Sequence, residues 1–288
     1  MQQNAPVARV IAPVEIKAAM RSRPRALSLA IVVSATCLAG AGPLRAADVN
    51  VHYGISLAGL SIGKAQLSAA LNGTGYTLNV SSALTGIVGA VSKGRGSATA
   101  RGNVGAGGVL TNGFSLSATN GKDTRTIQIA AASGSVRNVV IDPPFVDKGD
   151  GGDRIPLKDS HKIGVLDPVS ALILPSRATD PLDKANCDRR IQVFDGSQRF
   201  DVVLSFAGVR QVKADNGYAG PVLVCSARYV PVAGHRPERR VTKFMAENRN
   251  IDAWFAPVNG GKLLIPYRIS VKTMIGTSVI EAVAFNPG

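Results

Sequence analysis

The chain has 288 residues, 45% of them hydrophobic but only 5% aromatic, and a formal net charge of +14. Aromatic residues so few, and not interleaved with the basic ones, exclude a stacking platform for single-stranded nucleic acid despite the positive charge. The three cysteines form no CxxC pair and no two histidines lie within five residues of each other, which excludes a locally encoded metal site.

Arg21, Arg23 and Arg25 precede an apolar run from Ala26 to Gly42, and Leu44-Arg45-Ala46 follows it. Basic segment, apolar core and small-residue site in that order predict a secretory signal peptide over residues 1–47, cleaved near Ala46 or Ala47. Met20 is an alternative start. Thr36 fits poorly before a lipidated Cys37, so Cys37 reads as part of the discarded segment. Cleavage removes six basic residues (Arg9, Lys17, Arg21, Arg23, Arg25, Arg45) and Glu15, leaving 27 basic against 18 acidic, a balance of +9. Such a charge is drawn to anionic lipid or cell-wall polymer.

The remaining 48–288 read as a single β-rich domain. Short apolar or alternating runs recur between Gly, Asn, Asp and Pro, from 49–57 through 65–71, 76–82, 97–101, 108–119, 123–132 and 135–141. Asn72-Gly73, Asn120-Gly121 and Ser133-Gly134 supply the positive backbone angles of tight hairpins. Asp142-Pro143-Pro144 halts the seventh run, and Asp147, Asp150 and Asp153 follow among glycines as a loop without the EF-hand spacing.

Next comes the one helix expected, near 167–174, with Asp167 as its cap and Pro168 in the first position, where no amide donor is needed. Strands are expected again at 189–195, 199–206, 209–213, 221–230, 239–247, 251–256, 263–273 and 277–285. The pattern predicts a mainly β fold, a curled antiparallel sheet or half-barrel of about 14 strands. Cys187 and Cys225 are an even pair in an exported chain, which predicts a disulfide closing a 39-residue loop. In a flat meander its end strands would lie three positions apart, so the bond requires sharp curling or a strand that pairs back.

Several segments together carry a family likeness. They include Asp167 to Leu172, Phe194-Asp195-Gly196-Ser197-Gln198-Arg199-Phe200, and Gly220 to His235 around Cys225. Trp254, Ile265-Pro266-Tyr267-Arg268, Tyr53-Gly54 and Leu60-Ser61-Ile62-Gly63 complete the set. With these the chain resembles the exported bacterial envelope proteins of domain of unknown function family 3108, over nearly all of its length past the leader. The resemblance implies an exported, β-rich envelope protein of unassigned activity. By looser analogy such half-barrels look like periplasmic carriers that hold acyl chains in a concave sheet.

No GxSxG, HExxH, Walker loop or dinucleotide fingerprint occurs, so no cofactor, metal or catalytic residue is expected. Lys93-Gly94-Arg95-Gly96 matches a phosphate cradle in composition alone and reads as a basic turn. A periplasmic, non-enzymatic protein that binds a lipid or apolar ligand in a concave sheet is the function expected. Leu84, Ile87, Val88, Val91, Leu172 and Ile173 are the candidate lining. One alternative is an envelope-integrity scaffold that contacts partner proteins, anionic lipid or cell wall through Lys93, Arg95, Arg236, Arg239, Arg240 and Lys243. Another is a hydrolase, which would need Asp142, His161, Asp167 or Asp195 to converge within hydrogen-bond reach. The partners expected are a lipid or lipoprotein ligand or an envelope protein, and no nucleic acid.

Overall fold

The computed structural model describes residues 47–86, 89, 93–105, 107–145 and 153–288. Residues 1–46 of the expected signal peptide, with Ile87, Val88, Val91, Asp147 and Asp150, lie outside the described residues.

The first half is a meander of seven strands: β1 (Ala47–Leu57), β2 (Leu60–Asn72), β3 (Gly75–Leu84), β4 (Arg95–Gly105), β5 (Gly108–Asn120), β6 (Asp123–Ala132) and β7 (Ser135–Asp142). Each run alternates, so one parity is buried: Leu67, Ala69 and Leu71 on β2, Tyr76 and Leu78 on β3, Ala98 and Ala100 on β4. Ser133 (φ 50°) and Gly134 (φ 72°) both take positive φ, which gives the β6–β7 turn the twist its strands need.

The second half holds β8 (Leu174–Pro175), β9 (Arg189–Phe194), β10 (Arg199–Lys213), β11 (Asn216–Gly217), β12 (Ala219–Ala233), β13 (Ile251–Val258), β14 (Leu263–Thr273) and β15 (Gly276–Asn286). The strand order is β7-β6-β5-β4-β3-β2-β1-β15-β14-β13-β12-β10-β9, one open sheet. The last strand therefore returns to the first, with Val51 opposite Phe285, and this pairing joins the halves. β8 flanks β14 and β11 runs parallel to β15, while every other strand pairing is antiparallel. The two edge strands are bridged by the chain between the halves: Ile163 meets Ser135 of β7, and Leu166 meets Val193 of β9.

One sheet encloses two cores, because β13 and β14 are buried on both faces. Ala256, Val258, Leu263, Ile265 and Tyr267 enter a large core with β1–β6 and β15. Ala253, Phe255 and Leu264 enter a smaller one with β9, β10, β12 and both cysteines. The connecting segment alternates in the same way, with Val165, Val169 and Ile173 in the large core and Leu166, Ala171 and Leu174 in the small one.

The mainly β half-barrel is as expected, with three corrections. Fifteen strands are described, and the runs at 199–206 and 209–213 are one strand, kinked by a register shift between Phe206 and Gly208. The helix expected near 167–174 is a single 3-10 turn, Ser170–Leu172, which Pro175 leaves no room to extend. An α-helix, α1 (Arg240–Glu247), stands where 239–247 suggested a strand. Its Val241, Phe244 and Met245 follow helical spacing, a signal too short to register by periodicity alone.

Cys187 and Cys225 are joined, with Cα atoms 5.5 Å apart. Because β10 is one strand, β9 and β12 are two positions apart, about 10 Å, still beyond disulfide reach. The gap is closed by a 3-10 turn, Lys184–Asn186, which carries Cys187 off the line of β9 toward β12.

Candidate functional site

The small core is incompletely filled. A cavity of about 230 Å³ lies between the concave face of β9–β14 and the turn at 168–172. Ile191 and Val193 of β9, Phe200, Val202 and Leu204 of β10, and Ala227 of β12 form one wall. Ile251, Ala253 and Phe255 of β13 with Pro266 and Ile269 of β14 form the opposite one. Pro168, Ala171 and Leu172 cover it. All of these side chains are apolar. The positions on β9, β10 and β13 follow the period of two that puts alternate residues on one face, while Pro266 and Ile269 of β14 are three apart, across the register shift opposite Trp254 and Phe255. Leu172, Phe200, Ile251 and Ile269 are only half-buried, as are Pro168, Ala171 and Val202, so the cavity is open to solvent on that side.

A buried polar network holds the cover in place. Asp167 Oδ1 accepts the amides of Val169 (3.0 Å) and Ser170 (2.8 Å), which caps the turn. Its Oδ2 accepts the hydroxyls of Thr111 (2.6 Å) and Ser170. Tyr76 donates in turn to Ser170 Oγ at 2.7 Å, and burial pushes its hydroxyl up to about 12. Thus β3 and β5 fix the turn from the large-core side, and Pro168, Ala171 and Leu172 border the small-core cavity. Under the opposite wall, Tyr53 of β1 donates to the Pro266 carbonyl at 2.7 Å. Burial raises this phenol as well, so both tyrosines serve as neutral hydrogen-bond donors.

Of the residues expected to line a site, Leu172 does so. Ile173, its neighbour, points the other way and is fully buried in the large core, a correction imposed by alternation across the turn. Leu84 is half-buried at the end of β3 and does not line the cavity, while Ile87, Val88 and Val91 are outside the described residues. The aromatic lining, Phe200 and Phe255, was missed. Its signal was the parity of the runs at 191–193, 200–204 and 251–255, each apolar at alternate positions.

The basic set is not all on the surface. Lys93, Arg95, Arg239 and Arg240 are exposed, but Arg236 is 5% exposed and belongs to the interior. Lys243 pairs with Glu238 at 2.6 Å. Convergence of the four candidate acid–base groups is not seen either. Asp195 accepts the amides of Ser197 and Gln198 in its own turn, and His161 Nδ1 accepts the Lys158 amide at 3.1 Å. Asp167 is engaged in capping, and Asp142 is exposed at the end of β7. Among the described residues no hydrogen bond or ion pair joins any two of them, and no group of three or more His, Cys, Asp or Glu is placed to hold a metal.

The family described as "Protein of unknown function (DUF3108)" matches residues 48–283. No curated protein matches the chain. A solved structure described as a beta-barrel-like protein of domain of unknown function DUF1849 from Brucella abortus is 11% identical, with a TM-score of 0.44. The match covers 84% of this chain and 98% of that one.

Proposed function

The chain belongs to the DUF3108 family, and on that premise we propose that it is an exported, non-enzymatic envelope protein that holds an apolar ligand, such as a lipid acyl chain, in the small-core cavity. The observation that supports this most is the cavity's lining, which is apolar at every position and opens through half-buried residues. A dry apolar cavity of about 150 Å³ already takes up benzene, and ligand sites for larger molecules start near 300 Å³. At about 230 Å³ the cavity lies between the two, room for a short apolar chain or the end of a longer one. The basic-then-apolar pattern of the first 47 residues supports export, and the cysteine pairing agrees with it, since disulfides persist in oxidising compartments.

Native mass spectrometry of the protein purified gently from its own periplasm tests this reading. A bound acyl species is expected from the wild type, and less of it from Leu172→Asp, which puts a carboxylate at the mouth. Recovery of ligand-free protein under all mild conditions would remove the carrier reading.

A further inference from the structure

Residues 173–177, which follow the cover directly, border a second recess of about 750 Å³. β9 supplies another wall through Arg189, Arg190 and Gln192, and Ile191 of that strand lines this recess and the apolar cavity alike. Gly105 at the end of β4, Gly107, and Gly108 at the start of β5 also border it.

Three guanidinium groups border the recess, and their charges are not balanced equally. Arg190 is paired with Asp201 at 2.6 Å. Arg177 and Arg189 have no carboxylate partner among the described residues; they donate to carbonyl oxygens instead. Arg177 Nη1 reaches the Asp188 carbonyl at 2.8 Å, and Nη1 and Nη2 of Arg189 both reach the Pro175 carbonyl at 3.1 Å. Those bonds orient the guanidiniums without cancelling their charge. Arg189 is 9% exposed, and its Nε is buried with no partner. Burial, and after it the positive charge of Arg177, pushes Arg189 down to about 10.

A buried charge is costly unless paired, and a second like charge beside it adds to the cost. An oxyanion between the two would remove both penalties, and the planar guanidinium fork matches a carboxylate or phosphate. We propose that the Arg177–Arg189 recess binds an oxyanion, a carboxylate or phosphate. The amphiphile whose chain fills the apolar cavity supplies it as its head group, and that second clause rests on the lipid reading above.

Calorimetric titration of the mature chain at low ionic strength separates the two clauses. Inorganic phosphate, octanoate and 1-octanol are each titrated into wild type, Arg177→Gln and Arg189→Lys. Phosphate should bind the wild type and weaken about tenfold or more in both variants, since lysine keeps the charge but loses the fork. Octanoate should bind the wild type more tightly than octanol, and the difference should close in Arg177→Gln. Arg177 is exposed, so its variant decides the outcome if Arg189→Lys does not fold. Phosphate and octanoate that ignore the wild type, or bind Arg177→Gln equally well, would overturn the site. If phosphate behaves as expected while octanoate gains nothing over octanol, the oxyanion site stands and its head-group role falls. Failure of octanol alone to bind bears on the apolar cavity and leaves the oxyanion site intact.

Discussion

Two buried polar residues carry consequences that can be measured one side chain at a time. Asp167 accepts bonds from two amides and two hydroxyls, all in the interior. Asp167→Ala leaves those donors without an acceptor, so a loss of about 3 kcal/mol is expected in urea denaturation. Ligand affinity should fall with it, because the turn that covers the cavity loses its anchor. His235 is buried beside the pairing of Ile155 with residues 234–235, and its Nδ1 has no partner. Burial lowers its pKa below the usual 6.5, so the fold favours the neutral ring. The unfolded chain takes up a proton near 6.5; stability is therefore full above that pH and is lost as pH falls through the lowered folded value. Chemical denaturation between pH 7.5 and 5 should show the decline, and His235→Gln should flatten it. An unchanged slope in that variant would place the acid sensitivity elsewhere.

At the scale of elements, the disulfide ties the loop ahead of β9 to the centre of β12. Both cysteines are fully buried in the small core. Chain-entropy arguments put a loop of this length at about 4 kcal/mol. Cys187→Ala with Cys225→Ala should lower stability by about that amount, and reductant should do the same to the wild type. Because Leu174 and the cysteines pack in the same cluster as the cavity lining, the double variant should also bind apolar probes less tightly.

For the whole molecule, a ligand that binds only the folded state stabilises it by mass action. At one hundred times its dissociation constant that amounts to about 2.7 kcal/mol. For a domain of this size the melting temperature should rise by roughly 5–10 °C when octanoate saturates the protein. Leu172→Asp should abolish the rise without lowering the melting point of the free protein by more than about a degree, since Leu172 is only half-buried at the rim. A rise of equal size in that variant would mean that octanoate acts somewhere other than the cavity.

Alternation and turn residues made the mainly β class legible from the sequence, because period two along a strand and positive φ at Asn-Gly and Ser-Gly steps are local physics. The cysteine pair was legible too, from an even count and the expectation of export. Leu172 could be named because the apolar segment between Pro168 and Pro175 stands out among strands, although a helix was expected there and a 3-10 turn formed. What decided the rest was contact between residues far apart in the chain. The return of β15 to β1 sets where the sheet turns, and only that arrangement makes β13 and β14 bury both faces. Ile173 faces one core and Leu172 the other, a division no single-segment pattern encodes. Phe200 and Phe255 line one cavity only because β10, β12 and β13 are neighbours. Arg236 reads as a surface residue in its basic run, yet tertiary packing buries it, since charge patterning reports composition and not which groups the fold encloses.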